Sequence, residues 1–303
     1  MSNYLISIVG ATAIGKTALS IELAKHFNTE IISCDSRQFY KEMSIGTAVP
    51  YPEELAAVKH HFIQNRSIFE DYNVGQFEKD ALEKLNQLFK QHNIVIMVGG
   101  SGLYANAVID GLDYFPEIPA AVRENLNKQL KEKGIENLQN QLKNLDIESY
   151  NSIEIDNPHR LIRALEICIG SGETYSSFKN KPKAPRNFKT IKIGLQAERE
   201  LMYERINKRV DIMINNGLLN EAKELVEHKN LNALQTVGYR ELFKFFNNEI
   251  TLEFAIEEIK KNTRRFAKRQ VTWNKRDKDI CWFNFNPTIK DVTRLIESKI
   301  TCE

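Results

Sequence analysis

The 303 residues contain no long apolar run, no closely spaced cysteine pair and no marked excess of charge of either sign. Each absence narrows the field. No stretch approaches the ~20 apolar residues of a membrane-spanning helix, so no membrane role is expected. The four cysteines, Cys34, Cys168, Cys281 and Cys302, are widely scattered, without CxxC spacing or a cysteine–histidine cluster. This argues against a zinc ribbon or a disulfide scaffold and reads as reduced thiols, with Cys34 packing in a core strand. Met1-Ser2-Asn3 leads straight into a short apolar segment, unlike a secretory signal, so a cytosolic protein is expected. A net charge of +2 says little about partners, but the positive charge is unevenly distributed. A content of 42% hydrophobic and 27% charged residues is that of a globular chain rather than a disordered one.

Short apolar runs alternate with helical patterns in the first hundred residues. Residues 4–9, 30–34 and 94–98 read as buried strands, and 17–27 and 76–91 as amphipathic helices. That alternation predicts an α/β fold, a parallel sheet with helices on both faces. From Ile118 onward the pattern is helical. A loop rich in Lys, Pro and Ser follows at 176–188, and a strand returns at 190–195. The expected division is a core of 1–117 with 189–303 and an inserted helical lobe of 118–188. Helices are expected near 198–216, 218–228, 234–246 and 251–275. Gly217 and Gly238 are expected at helix ends or close approaches.

Gly10-Ala11-Thr12-Ala13-Ile14-Gly15-Lys16-Thr17 fits GxxxxGK[ST], with a strand before it and a helix after. Small residues let successive N–H groups converge on an anion, and the helix N-terminus adds favourable partial charge. Lys16 reaches the distal phosphate, and the Thr17 hydroxyl is suited to Mg²⁺. An NTPase of the common kind has an acid at the end of a neighbouring strand to help hold the metal. Here the 94–98 strand runs into Gly99-Gly100-Ser101-Gly102 with no carboxylate. The nearest acid at a strand end is Asp35. It either caps a helix starting near Ser36 or acts as a general base or indirect metal ligand at the ligand-binding edge of the sheet. Gln38 is suited to an amide or base edge. These features leave open a nucleoside or metabolite kinase, a non-catalytic RNA-binding ATPase, or another user of pyrophosphate compounds.

A resemblance narrows the choice. GATAIGKT (10–17), SCDSRQFY (33–40), IGTAVP (45–50), His60-His61 and GGSGLY (99–104) are similar to segments of the bacterial tRNA dimethylallyltransferases. So are NPHRLIRALEI (157–167), YERINKRVDIMINNGLLNEA (203–222), LQTVGYREL (234–242) and NTRRFAKRQVTWNKR (262–276). The resemblance implies a P-loop that holds the diphosphate of dimethylallyl diphosphate. The acceptor is N6 of adenosine 37, in the anticodon stem-loop of tRNAs reading codons that begin with U. It implies Asp35 as the base, Lys16, Ser101, Arg205 and Arg209 as further catalytic groups, and Mg²⁺ at Thr17. Arg205 and Arg209, at i and i+4, share a helix face; either could clamp the diphosphate. Ser101 stands where the family commonly has threonine. Asp156-Asn157-Pro158 departs from the more usual Asn-Asp-Pro, although either residue can cap the following helix.

The same resemblance places tRNA against Asp35, Ser36, Gln38, Arg160, Lys181, Lys183, Arg264, Arg265, Lys268 and Arg269. The last four belong to a basic band that starts at Lys260 and meets few acids before Asp277. Phosphate contact is its expected role. Phe266 and Trp273 are read as core anchors, and His60-His61 as locally hydrogen-bonded rather than metal-binding. Lys179 and Arg186 are read, with Lys181 and Lys183, as a second set of phosphate contacts. A monomer is expected.

Overall fold

The computed structural model describes residues 2–301, so Cys302 lies outside the described residues. Along the chain come β1 (Tyr4–Gly10), α1 (Lys16–His26), β2 (Ile31–Ser33), α2 (Pro52–Ala57), β3 (His60–His61), α3 (Val74–Leu88), β4 (Ile94–Val98) and α4 (Gly102–Asp110). A helical stretch follows: α5 (Ala120–Lys133), α6 (Ile135–Leu145), α7 (Ile147–Ser152), α8 (Pro158–Ser171) and α9 (Tyr175–Phe178). The chain then forms β5 (Lys189–Gln196), α10 (Arg199–Asn215), α11 (Leu218–Glu224), α12 (Tyr239–Phe246), α13 (Leu252–Asn274), β6 (Cys281–Asn284) and α14 (Ile289–Thr301). Among the described residues, those up to 110 together with those from 186 onward make one compact unit, and 111–185 make a second.

The first unit is built on a six-stranded sheet in the order β3-β2-β4-β1-β5-β6, parallel at every pairing. Burial on both sides explains its apolar strands. Tyr4, Ile6 and Ile8 of β1 face a core with Leu19 and Leu23 of α1 and Val292 and Ile296 of α14. Leu5 faces the other way, toward Val95 and Met97 of β4, Phe77 and Leu85 of α3 and Val108 of α4. Each such side chain contributes about 1.5–3 kcal/mol by leaving water. Asn73 starts α3 with a capping box: its side chain accepts from Gly75 and Gln76 N–H, while Gln76 returns a bond to the Asn73 N–H. A third core, from Met43, Leu218, Tyr239, Leu242 and Ile259, ties α11, α12 and α13 together.

The four strands expected from sequence are the central four of the sheet. The edge strands β3 and β6 are additions, so the 94–98 strand is fourth in the chain rather than third. With two and four residues, they are too short to display a period. No helix begins at Ser36. The segment after β2 is a series of turns, and Asp35 Oδ1 accepts the Arg37 N–H at 3.0 Å. Gly217 and Gly238, both at positive φ, stand immediately before α11 and α12.

The second unit packs α5, α6 and α8 around Leu126, Leu138, Leu142, Leu161 and Leu165. Asn157 caps α8, its Oδ1 accepting from His159 and Arg160 N–H, while Asp156 accepts from Gln139. The cap thus survives the departure at 156–158. Asp146 binds the N–H and hydroxyl of both Ser149 and Ser176, joining α7 to α9, and these bonds hold its carboxyl below the usual range against the opposing effect of burial.

Candidate active site

The phosphate loop owes its shape to two glycines and a small neighbour. At Gly10, φ is +145° and a Cβ would lie 2.7 Å from the Leu195 carbonyl oxygen; at Gly15, φ is +101°. Ala13 also lies in the left-handed region, at φ 62°, a conformation that costs a non-glycine residue roughly 1–2 kcal/mol. Side chains from two distant helices hold the loop in place. From α10, Arg205 Nε donates to the Ala13 carbonyl at 2.8 Å and Arg209 Nη1 to the Thr12 hydroxyl at 3.3 Å. From α13, Gln270 Oε1 accepts the Thr12 N–H at 2.8 Å.

Lys16 and Thr17 open α1. The Lys16 ammonium donates to the carbonyls of Gly10 (3.1 Å) and Ala11 (2.7 Å). Burial, with Arg209 close by, lowers its pKa to about 8. Burial likewise holds Arg209 below its ordinary range. Two cations are therefore held close together, away from bulk water, beside backbone groups shaped for an anion. The low lysine pKa has a consequence for stability. The unfolded chain binds this proton up to about pH 10.5, and the folded chain only up to about pH 8. Stability from this group is therefore complete above 10.5 and lost as pH falls through 8. We expect the melting temperature of the wild type to gain between these limits relative to Lys16→Met, as read by paired thermal melts across that range.

Gly10 and Thr12 border a cavity of about 600 Å³, together with Asp35, Ser36 and the loop 99–102. Asp35 follows β2 and its neighbour strand β4 ends at Val98, just before Gly99, so the acid and the glycine loop meet at one sheet edge. A Cβ on Gly99 would meet the Cys34 Sγ and backbone at 2.6 Å. Ser101 Oγ accepts the Ser36 N–H at 3.0 Å and donates to Ser36 Oγ at 2.9 Å, tying the two loops. Cys34 is buried and its thiol is pushed up to about 12, which leaves it packed and protonated rather than nucleophilic.

Of the sequence-predicted groups, Gly10, Thr12, Asp35, Ser36, Ser101, Arg209 and Arg269 come together around this cavity. Gln38 makes contacts within the protein: its Nε2 donates to the Thr47 and Ala48 carbonyls and its Oε1 accepts from Ser33. Arg205 lies against the outside of the loop with its guanidinium 4.4 Å over the Phe285 ring. Phe266 and Trp273 are not core anchors. They are 38% and 37% exposed and form part of the cavity wall, with the Trp273 indole filling the space above Gly102.

The basic band is narrower than its sequence suggests. Lys260 pairs with Asp211 and Glu257, and Lys261 with Glu258, acids that lie one turn back on α13 or on α10. Arg264 donates to Asn207 at 2.6 Å. Arg265, Lys268 and Arg269 are exposed along α13. In the second unit, Arg160 pairs with Glu154, Lys181 lies 5.0 Å over Phe178, and Lys183 donates to the Gly111 carbonyl. Arg186 is largely buried against Glu78 and the Ala107 carbonyl, which removes it from the set of free phosphate contacts. His60 bonds the Val58 carbonyl and His61 bonds Glu30.

Two residues escaped the sequence reading. Gln270 is one. The other is Glu221, whose carboxylate accepts the N–H groups of Ser44, Ile45 and Gly46 and the Tyr239 hydroxyl. Glu221 thereby fixes the loop that brings Gly46 and Thr47 to the cavity. For Gln270, the available signal was a polar residue continuing an apolar helical stripe: Ala255, Ile259 and Ala267 are buried on α13, followed by the buried polar pair Gln270 and Asn274.

Parallel sheet, anion-shaped loop and adjoining cavity define a P-loop-type α/β protein. The model of the IPP transferase family matches residues 38–277, and the chain belongs to that family. It is 61% identical over 300 residues to a tRNA dimethylallyltransferase of Christiangramia forsetii, covering 99% of each chain. It is 59% identical over 304 residues to one of Flavobacterium psychrophilum, covering 98% of this chain and 99% of that one. Among solved structures, the tRNA isopentenylpyrophosphate transferase of Bacillus halodurans superposes with TM-score 0.74 at 34% identity, over 99% of this chain and 97% of that one. A eukaryotic dimethylallyltransferase acting on tRNA superposes with TM-score 0.77 at 27% identity, over 93% and 74%.

Proposed function

We propose that the protein transfers the dimethylallyl group of dimethylallyl diphosphate to N6 of adenosine 37 in tRNAs that read codons beginning with U, with release of diphosphate. The observation that carries this reading is the shared cavity: Gly10 and Thr12 of the phosphate loop, the Arg209 cation and a carboxylate, Asp35, line the same space. A phosphoryl-transfer enzyme of the P-loop kind needs a further acid on the metal, and the 94–98 strand ends in Gly99-Gly100-Ser101-Gly102 without one. A prenyltransferase needs one facing the acceptor amine.

In the proposed reaction, the N6 lone pair forms a bond to the first carbon of the allyl group. The carbon–oxygen bond breaks, and its electron pair leaves with diphosphate. The N6 proton passes to Asp35. Adenine N6 is a weak nucleophile because its lone pair is delocalised, so proton removal as the bond forms lowers the barrier. Lys16, Arg209 and the loop N–H groups receive the charge that develops on the departing oxygen. The Thr17 hydroxyl would hold Mg²⁺. No three His, Cys, Asp or Glu side chains converge among the described residues. One hydroxyl completed by diphosphate oxygens and water is a donor set that suits this ion. When bound, Mg²⁺ would neutralise diphosphate charge.

Arg265, Lys268 and Arg269 would contact the phosphates of the anticodon stem-loop, with Arg160 and Lys181 of the second unit as further contacts. Two measurements test the reading. Mass analysis of nucleosides from unmodified tRNA, after incubation with protein, Mg²⁺ and dimethylallyl diphosphate, should find one added five-carbon unit on adenosine 37; unchanged adenosine would refute it. Lys268→Ala should weaken tRNA binding and reduce the slope of log K against log salt by about one. An unchanged slope in a filter-binding titration would remove Lys268 from the interface.

A further inference from the structure

We propose that Gln270 is a positioning residue that sets the distance between the phosphate loop and the acid-bearing edge of the sheet; the inference rests on Asp35 being the base. Its side-chain amide joins two main-chain groups that are remote in sequence. Oε1 accepts the Thr12 N–H at 2.8 Å, and Nε2 donates to the Gly100 carbonyl at 2.8 Å. Gln270 is 8% exposed, so both bonds form largely out of water, where a lost partner is costly. One planar group must donate and accept at once. A side-chain amide does so without a charge or a tautomer choice, and Asn is one methylene shorter.

The second partner explains what the link controls. A Cβ on Gly100 would lie 2.8 Å from Gln270 Nε2 and 3.0 Å from Asp35 Oδ2. The amide and the carboxylate therefore flank the same bare glycine, within about 6 Å of each other. One end of Gln270 holds the loop that carries the leaving group, and the other holds the residue beside the base. The helix does not need this amide to dock on the loop, because Ala267 already packs there with Ala11 and Ile206. Lys16 of α1 and Arg209 of α10 already act on Asp35 electrostatically, and the neutral amide adds no further charge beside it.

Gln270→Glu and Gln270→Leu separate positioning from packing. The carboxylate of the first variant retains an acceptor for the Thr12 N–H. It loses the donor to Gly100 and brings a second negative charge toward Asp35. A like charge raises a carboxyl pKa. In single-turnover transfer from dimethylallyl diphosphate to tRNA, the acid limb of the pH profile for Q270E should move up by about one pH unit. Its kcat should fall about 10- to 100-fold with the donor KM within about twofold, as misplaced groups imply. Q270L should lose a similar factor in kcat with no movement of the acid limb. Wild-type kcat and an unmoved profile in Q270E overturn the proposal; should Q270E melt early, wild-type kcat in Q270L does so. Asp35→Asn, assayed alongside, distinguishes the two ways to fail. If it is inactive while the Gln270 variants behave as wild type, the role of Gln270 is wrong. If it is fully active, the base assignment is wrong, and this inference falls with it.

Discussion

Asp35→Asn is expected to lower dimethylallyl transfer by about 10²–10⁴-fold, the usual worth of a positioned general base, while leaving tRNA and donor binding nearly intact. The substitution keeps size and shape. The side-chain carbonyl of the introduced amide can still accept the Arg37 N–H, so the turn after β2 should hold. What is lost is the capacity to take the N6 proton. The deficit should therefore appear in kcat, in a single-turnover assay with saturating donor, and not in the dissociation constant for tRNA. A tenfold or larger weakening of tRNA binding with transfer otherwise normal would make Asp35 a recognition residue instead.

Lys16→Met should cost about 10²–10³-fold in kcat, the range found when one donor to a developing charge is removed. The ammonium is poised for this. It bonds loop carbonyls, and burial brings its pKa to about 8, close to losing its proton. An arriving diphosphate stabilises the charged form. In the wild type, kcat/KM for the donor should thus fall above about pH 8, where the free protein loses that proton, and kcat should hold to higher pH because the bound anion retains it. The alkaline limb of kcat/KM should vanish in Lys16→Met. If it persists there, another group is responsible. Arg209 should then be examined, since it too is buried beside Thr12.

The parts of this protein legible in sequence are those whose physics is local. The phosphate loop is eight contiguous residues between a strand and a helix. The four central strands are short apolar runs because both faces of the sheet are covered. The rest depends on long-range geometry. β3 and β6 are edge strands too short for a pattern. Phe266 and Trp273 look like core residues by type, yet they line an opening. Lys260 and Lys261 look free until the acids a turn away are placed beside them. Gln270 finds its partners 258 and 170 residues away, and Glu221 finds three backbone donors 175 to 177 residues away. No window along the chain contains either set.

The loop from Gly10 to Thr17 is expected to hold a leaving group rather than a phosphoryl group in transfer. The most direct measurement uses dimethylallyl diphosphate labelled separately in the alkyl chain and in the phosphates, with unmodified tRNA and Mg²⁺. The alkyl label should enter RNA in equal proportion to the diphosphate label released to solution, with no requirement for ATP. Phosphate label in the acceptor, or transfer of the ATP γ-phosphate while the alkyl donor stays inert, would contradict it.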